Sequence, residues 1–286
     1  MSTTTTTTTT TTTRTKGSLI ESPSADGVST HHVTLPRVIR SEWIKLRSIR
    51  STIVTLGFTA CAVIAIGVLV STLSNGAPIA AEGEGIYDPA GNSLFGSTLA
   101  QVVLGVLGAL VFTSEYSTGL IRTTLTAVPR RLPVLWAKGI VVAGASFVTM
   151  LASLSVAFFV GQAVYSGGGP SASLSDPGVL RALLAAALFP TVIAVMGVAF
   201  GALMRHTATA IGILVAVLFV VPVLFETLGG VWGRATEYLP GEAGQTMIAV
   251  VREPGEMSAG IALLVLIGWI GALFAAGTIA LKRRDA

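Results

Sequence analysis

Six apolar runs dominate the chain, at about 52–73, 94–113, 138–165, 180–203, 208–225 and 259–281. Each is at or above the roughly 20 residues that a helix rising about 1.5 Å per residue needs to cross about 30 Å of hydrocarbon. Backbone amides inside lipid must be satisfied internally, so runs of this length point to helices. Composition agrees: 52% of residues are hydrophobic, 11% are charged, and the mean hydropathy is +0.78. The expected fold is an all-α integral membrane protein with six transmembrane helices. The third run is long enough to tilt or to extend beyond the bilayer, and Pro190 predicts a kink in the fourth. Gly197 and Gly201, one turn apart, offer a small-residue seam for close helix approach, within the chain or between copies.

Orientation follows from Lys and Arg on alternate sides of the spans. The N-terminal segment, the connection between runs two and three, Arg205 and the tail Lys282-Arg283-Arg284 hold fifteen of the eighteen basic residues. Only Arg181, Arg234 and Arg252 fall on the other side, which gathers Glu82, Glu84, Asp88, Asp176, Glu226, Glu237, Glu242, Glu253 and Glu256. Both termini are expected in the cytosol, in a bacterial-type plasma (inner) membrane. That arrangement agrees with an even number of spans.

The flanks complete the domain plan. Residues 1–34 contain an unbroken Thr tract from 3 to 13 and are expected to be a disordered cytosolic tail. No apolar core follows its basic residues, so a secretory signal is not expected, and His31-His32 has no carboxylate or thiol beside it to make a metal site. In residues 35–51, Leu35, Val38, Ile39, Trp43, Leu46 and Ile49 share one helical face, with Pro36 in the first turn. Arg40, Trp43, Lys45 and Arg47 then suit an amphipathic helix in the headgroup layer, its cations toward anionic lipid. The six-span domain is placed at 52–281, with an outer loop at 226–258 whose apolar pieces are expected either to dip into the outer leaflet or to cap the spans as short interfacial helices, and a basic cytosolic tail at 282–286.

The remaining connection, 114–138, is the most charged internal segment on the cytosolic side. Leu120, Ile121 and Leu125 give it a small apolar face, Gly119 permits a tight entry, and Pro129 stops it before Arg130-Arg131. Arg122, Arg130, Arg131 and Lys138 suit docking or lipid-phosphate anchoring, and Arg130, Arg131 and Lys138 also suit anchoring of the loop itself. The chain lacks a GxxxxGK[ST] phosphate loop, so hydrolysis of ATP by this chain itself is not expected, nor is a metal, another cofactor or a nucleic-acid partner. Hydrolytic chemistry also fails for lack of a His or a carboxylate pair within the spans. An ion-driven carrier using Glu115 or Glu226 and a non-transporting membrane scaffold remain as alternatives.

Arg40-Ser41-Glu42-Trp43-Ile44-Lys45-Leu46-Arg47-Ser48, Glu115 to Leu125, Pro129-Arg130-Arg131 leading to Ala137-Lys138, and Tyr238-Leu239-Pro240-Gly241-Glu242-Ala243-Gly244 carry a resemblance. From about residue 36 onward the chain resembles a permease subunit of the type-2 ABC exporters. The resemblance implies a separate ATP-binding subunit as partner, docked on a coupling helix after the second span. It also implies pairing with a second permease copy or homologue. Carried onto this sequence, Glu115, Gly119, Leu120, Ile121, Arg122 and Leu125 become the expected ATPase-docking residues. Leu120 departs from the Thr that often follows this Gly. A hydrophobic or amphipathic cargo is the expected substrate class.

Overall fold

The computed structural model describes residues 34–73, 88–117, 119, 131–165, 171–250 and 255–283. The Thr-rich tail, His31-His32, Leu120 to Arg130 and the last three residues lie outside the described residues. Six helices among those described are long and apolar enough to cross a membrane, and no strand occurs. A helix α1, Leu35–Ser48, precedes them and ends at Ile49, whose extended backbone turns the chain into α2, Arg50–Leu73, the first span. The second span joins the short α3, Pro89–Leu94, to α4, Gly96–Ser117. The third is the long α5, Arg131–Tyr165, and the fourth is α6, Val179–Met204.

The fifth span is interrupted. It begins as α7, Thr207–Val215, widens to a π turn over Ala216–Val220, and resumes as α8, Val221–Leu228. Pro222 has no N–H to return to the Leu218 carbonyl, which accounts for the loosened ladder at this point. After α9, Gly230–Ala235, a single 3-10 turn leads to α10, Pro240–Ile248, and the sixth span is α11, Ala259–Arg283. Among its described residues the long outer connection therefore carries two short helices and a 3-10 turn.

Span four is the axis of the bundle. Of its most apolar stretch 89% is buried inside the protein, against 22% for spans one and five and 17% for span six. Its sequence explains this, because Ala and Gly on every face let neighbours come close. The seam with α4 is interlocked: a Cβ at Gly197 would strike the Gly105 carbonyl, and one at Gly108 would strike the Ala194 carbonyl. Gly201 lies over the Ala109 carbonyl in the same seam. The Gly197/Gly201 pair is therefore used within the chain. The helix runs unbroken through Pro190.

At the end of the bundle bearing Asp88, Asp176 and Glu242, polar ties close the structure. Arg181 of α6 donates to the carbonyls of Met247 and Ala249, both at 2.6 Å, fastening α10 to span four. The Trp269 indole donates to the Tyr238 carbonyl at 2.9 Å. Gln162 of α5 donates to the Pro89 carbonyl and to Ser93, which also meets Ser71 of α2 at 2.9 Å. Each tie satisfies a group that would otherwise be stranded in a low-dielectric surrounding.

Candidate functional site

The opposite end, where α1 meets spans two and three, is basic and carries the densest polar chemistry. Along α1 the buried stripe is Val38, Glu42 and Leu46, spaced four apart so that all three project to one side. Val38 packs with Val134 and Ala137 of α5. The expected apolar face is thus divided: Val38 and Leu46 turn to the bundle, while Leu35, Trp43 and Ile49 stay exposed. A carboxylate stands in the middle of the buried stripe.

Glu42 is one corner of a four-charge cluster. Its Oε2 accepts from Lys138 Nζ at 2.7 Å and its Oε1 from Lys45 Nζ at 2.7 Å. Glu115 Oε1 accepts from the same two ammonium groups, at 2.7 Å from Lys138 and 3.1 Å from Lys45. Lys138 is only 2% exposed and Glu42 4%. Two carboxylates and two ammonium groups cancel in net charge. Pairing of this kind is what permits ions to leave water, since an unpaired buried charge is very costly. Glu115 Oε2 is buried without a hydrogen-bond partner among the described residues. Burial lowers the pKa of Lys45, but the hydrogen bond and charge of Glu42, followed by those of Glu115, more than offset it and hold the group above 10.5.

Three separate stretches of chain are clamped by these contacts. Glu42 and Lys45 come from α1, Glu115 from the last turn of α4, and Lys138 from the second turn of α5. Glu115 and Lys138 also bracket the connection 118–130. A second layer lies beside them: Arg205, the cap of α6, holds the left-handed region at φ 57° and sets its guanidinium 5.4 Å from the Tyr116 ring centroid. A non-glycine residue in that region is uncommon, and the cation–π contact helps hold it there. Thr207, opening span five, donates to Thr113 Oγ1 at 2.9 Å.

A model of the ABC-2 family transporter proteins matches residues 38–232, from the buried stripe of α1 to the end of span five and into α9. The chain belongs to the ABC-2 family. No curated protein sequence matches it. As an ABC-2 transporter protein with six apolar spanning helices, it is a multi-pass membrane protein of the permease type.

Within this ABC-2 protein the residues singled out from sequence fall into three groups. Glu115, expected to touch the ATPase, is turned inward and held by two lysines. Lys45 and Lys138, expected to anchor either lipid or the loop, are bound to those same carboxylates, and Lys138, at 2% exposure, has almost no surface with which to meet a headgroup. Arg40, Trp43 and Arg47 are exposed on α1, and Gly119 is exposed with φ 72°, the left-handed geometry that ends α4. Leu120, Ile121, Arg122, Leu125 and Arg130 are outside the described residues, as is the side chain of Arg131.

Sequence reasoning missed the role of Glu42. A signal for it does exist. Between 35 and 283, Glu42 and Glu115 are the two acids on the basic side of the spans, and an isolated acid near a span end calls for a cation.

Proposed function

We propose that this ABC-2 protein is the membrane subunit of an ATP-driven exporter. A separate ATP-binding subunit docks at the basic end on the connection 118–130. Both termini are cytosolic, in a bacterial-type inner membrane, and a second permease copy or homologue completes the translocation path. The cargo class is hydrophobic or amphipathic. The observation that carries this reading is the buried cluster of Glu42, Lys45, Glu115 and Lys138. Force on the connection reaches α4 through Glu115 and α5 through Lys138, and the shared carboxylates pass it to α1. Ionic contacts of fixed geometry suit such a linkage because they move as one body or break.

Energy then comes from the partner. About 5.5 kcal/mol of differential binding inverts a population from 1:99 to 99:1, which is within reach of ATP-driven closure. An ion-driven carrier using Glu115 would need that carboxylate available to its ion, and here it is held by two ammonium groups. In proteoliposomes containing the permease and its ATP-binding partner, Glu115→Gln and Arg122→Ala should each abolish cargo-stimulated ATP hydrolysis while membrane insertion persists. Undiminished stimulation in Arg122→Ala would refute docking at this connection, and transport driven by an ion gradient without ATP would instead establish a carrier.

A further inference from the structure

The bend at Ile49 separates α1 from span one, and the wedge between them, backed by span three, is a cavity of about 420 Å³. Its walls include Trp43 and Arg47 of α1, Ile53 and Gly57 of α2, and Gly144 and Val148 of α5. The volume is in the range of small-molecule sites, and the lining is apolar apart from Arg47 and Thr149. Two glycines hollow it from opposite walls: a Cβ at Gly57 or at Gly144 would meet nothing within 4 Å. Arg47 lines the mouth, and Arg50 precedes Ile53 and Gly57 on the same face of span one by helical spacing. Among the described residues neither arginine makes an ion pair. Trp43 adds an amphipathic ring at the depth where chain meets headgroup.

We propose that this groove is a binding site for one acyl chain of an anionic phospholipid, whose phosphate is held by Arg47 and Arg50. The chain fills the hollow left by Gly57 and Gly144, and the headgroup stays at the rim, outside the hydrocarbon. Because α1 also carries Glu42 and Lys45, an occupant of this groove contacts the helix that the charge cluster clamps. The site stands independently of any ATP-binding partner.

The test uses the full chain with Trp136, Trp232 and Trp269 replaced by Phe, so that Trp43 reports alone, in phosphatidylcholine vesicles. Brominated-chain phosphatidylglycerol should quench Trp43 at about thirtyfold lower mole fraction than brominated phosphatidylcholine, as expected from about 1 kcal/mol for each of the two arginines at the headgroup. Arg47→Gln should cut that ratio to about fivefold, the share left to Arg50. Gly57→Leu with Gly144→Leu, which fills open space and should preserve the melting curve, should remove the high-affinity quenching. A wild-type ratio of one would overturn the proposal, as would undiminished quenching in the glycine variant. Shielding of Trp43 from both lipids would also overturn it, by placing a second copy over the groove. If the glycine variant fails to fold, the Arg47→Gln ratio decides alone.

Discussion

Lys138 has its ammonium group committed to two carboxylates and almost no water around it. Lys138→Met leaves Glu42 and Glu115 with only the partly exposed Lys45 as partner, a loss expected to cost about 3 kcal/mol or more. Thermal unfolding of the detergent-purified protein should show a lowered midpoint, and adding Glu42→Gln should recover part of it by removing one stranded charge. Lys45→Met, at a side chain 41% exposed, should cost about 1 kcal/mol or less. Glu242 behaves in the opposite sense. Burial, with the charge of Glu226 as a smaller cause, raises its pKa above 4.5. The unfolded chain then ionises first as pH rises, so stability is greatest in acid and falls between 4.5 and the raised value, leaving a fixed penalty at neutral pH. Glu242→Gln should therefore raise the melting temperature at pH 7.5, and the gain should vanish near pH 4.

Helix seams set the next scale. Gly108→Ala or Gly197→Ala pushes a Cβ onto facing backbone, which cannot rotate away as a side chain can. A loss of about 1–3 kcal/mol is expected, seen as a lower midpoint and poorer monodispersity in detergent. Gly212→Ala and Gly271→Ala, where a Cβ meets nothing, should be neutral or gain up to about 1 kcal/mol from helix propensity. The contrast between these pairs explains what the sequence does and does not reveal. Spans are legible because the hydrocarbon thickness dictates their length, and α1 because Val38 and Leu46 repeat with the helical period. Which glycine faces a neighbour depends on how helices rotate about their axes, and Gly197 and Gly212 look alike as letters. The charge cluster is hidden for a related reason: Glu42 and Lys138 are 96 positions apart, and local pattern offers Lys138 docking or the anchoring of lipid or loop and gives Glu42 no role. Glu115 was found from its motif, yet its motif could not say that it points inward.

For the molecule as a whole, the arrangement divides labour between ends. The acidic end is closed by Arg181 and the α10 cap, whereas the basic end carries the clamp, the exposed cations of α1 and the bracketed connection. Arg181→Gln should loosen the cap, visible as faster hydrogen exchange in residues 240–250, while leaving the exchange of α1 unchanged. The burial of span four bears on how the protein is made. Its interlocked partner, α4, and its neighbour α5 both precede it in the chain, so a ribosome that has released Met204 has already supplied most of the interior. A truncation after His206 should persist in membranes as a protease-resistant core, whereas one after Tyr165 should be degraded. Spans five and six, largely unburied within the chain, would then be added to a finished axle rather than needed to form it.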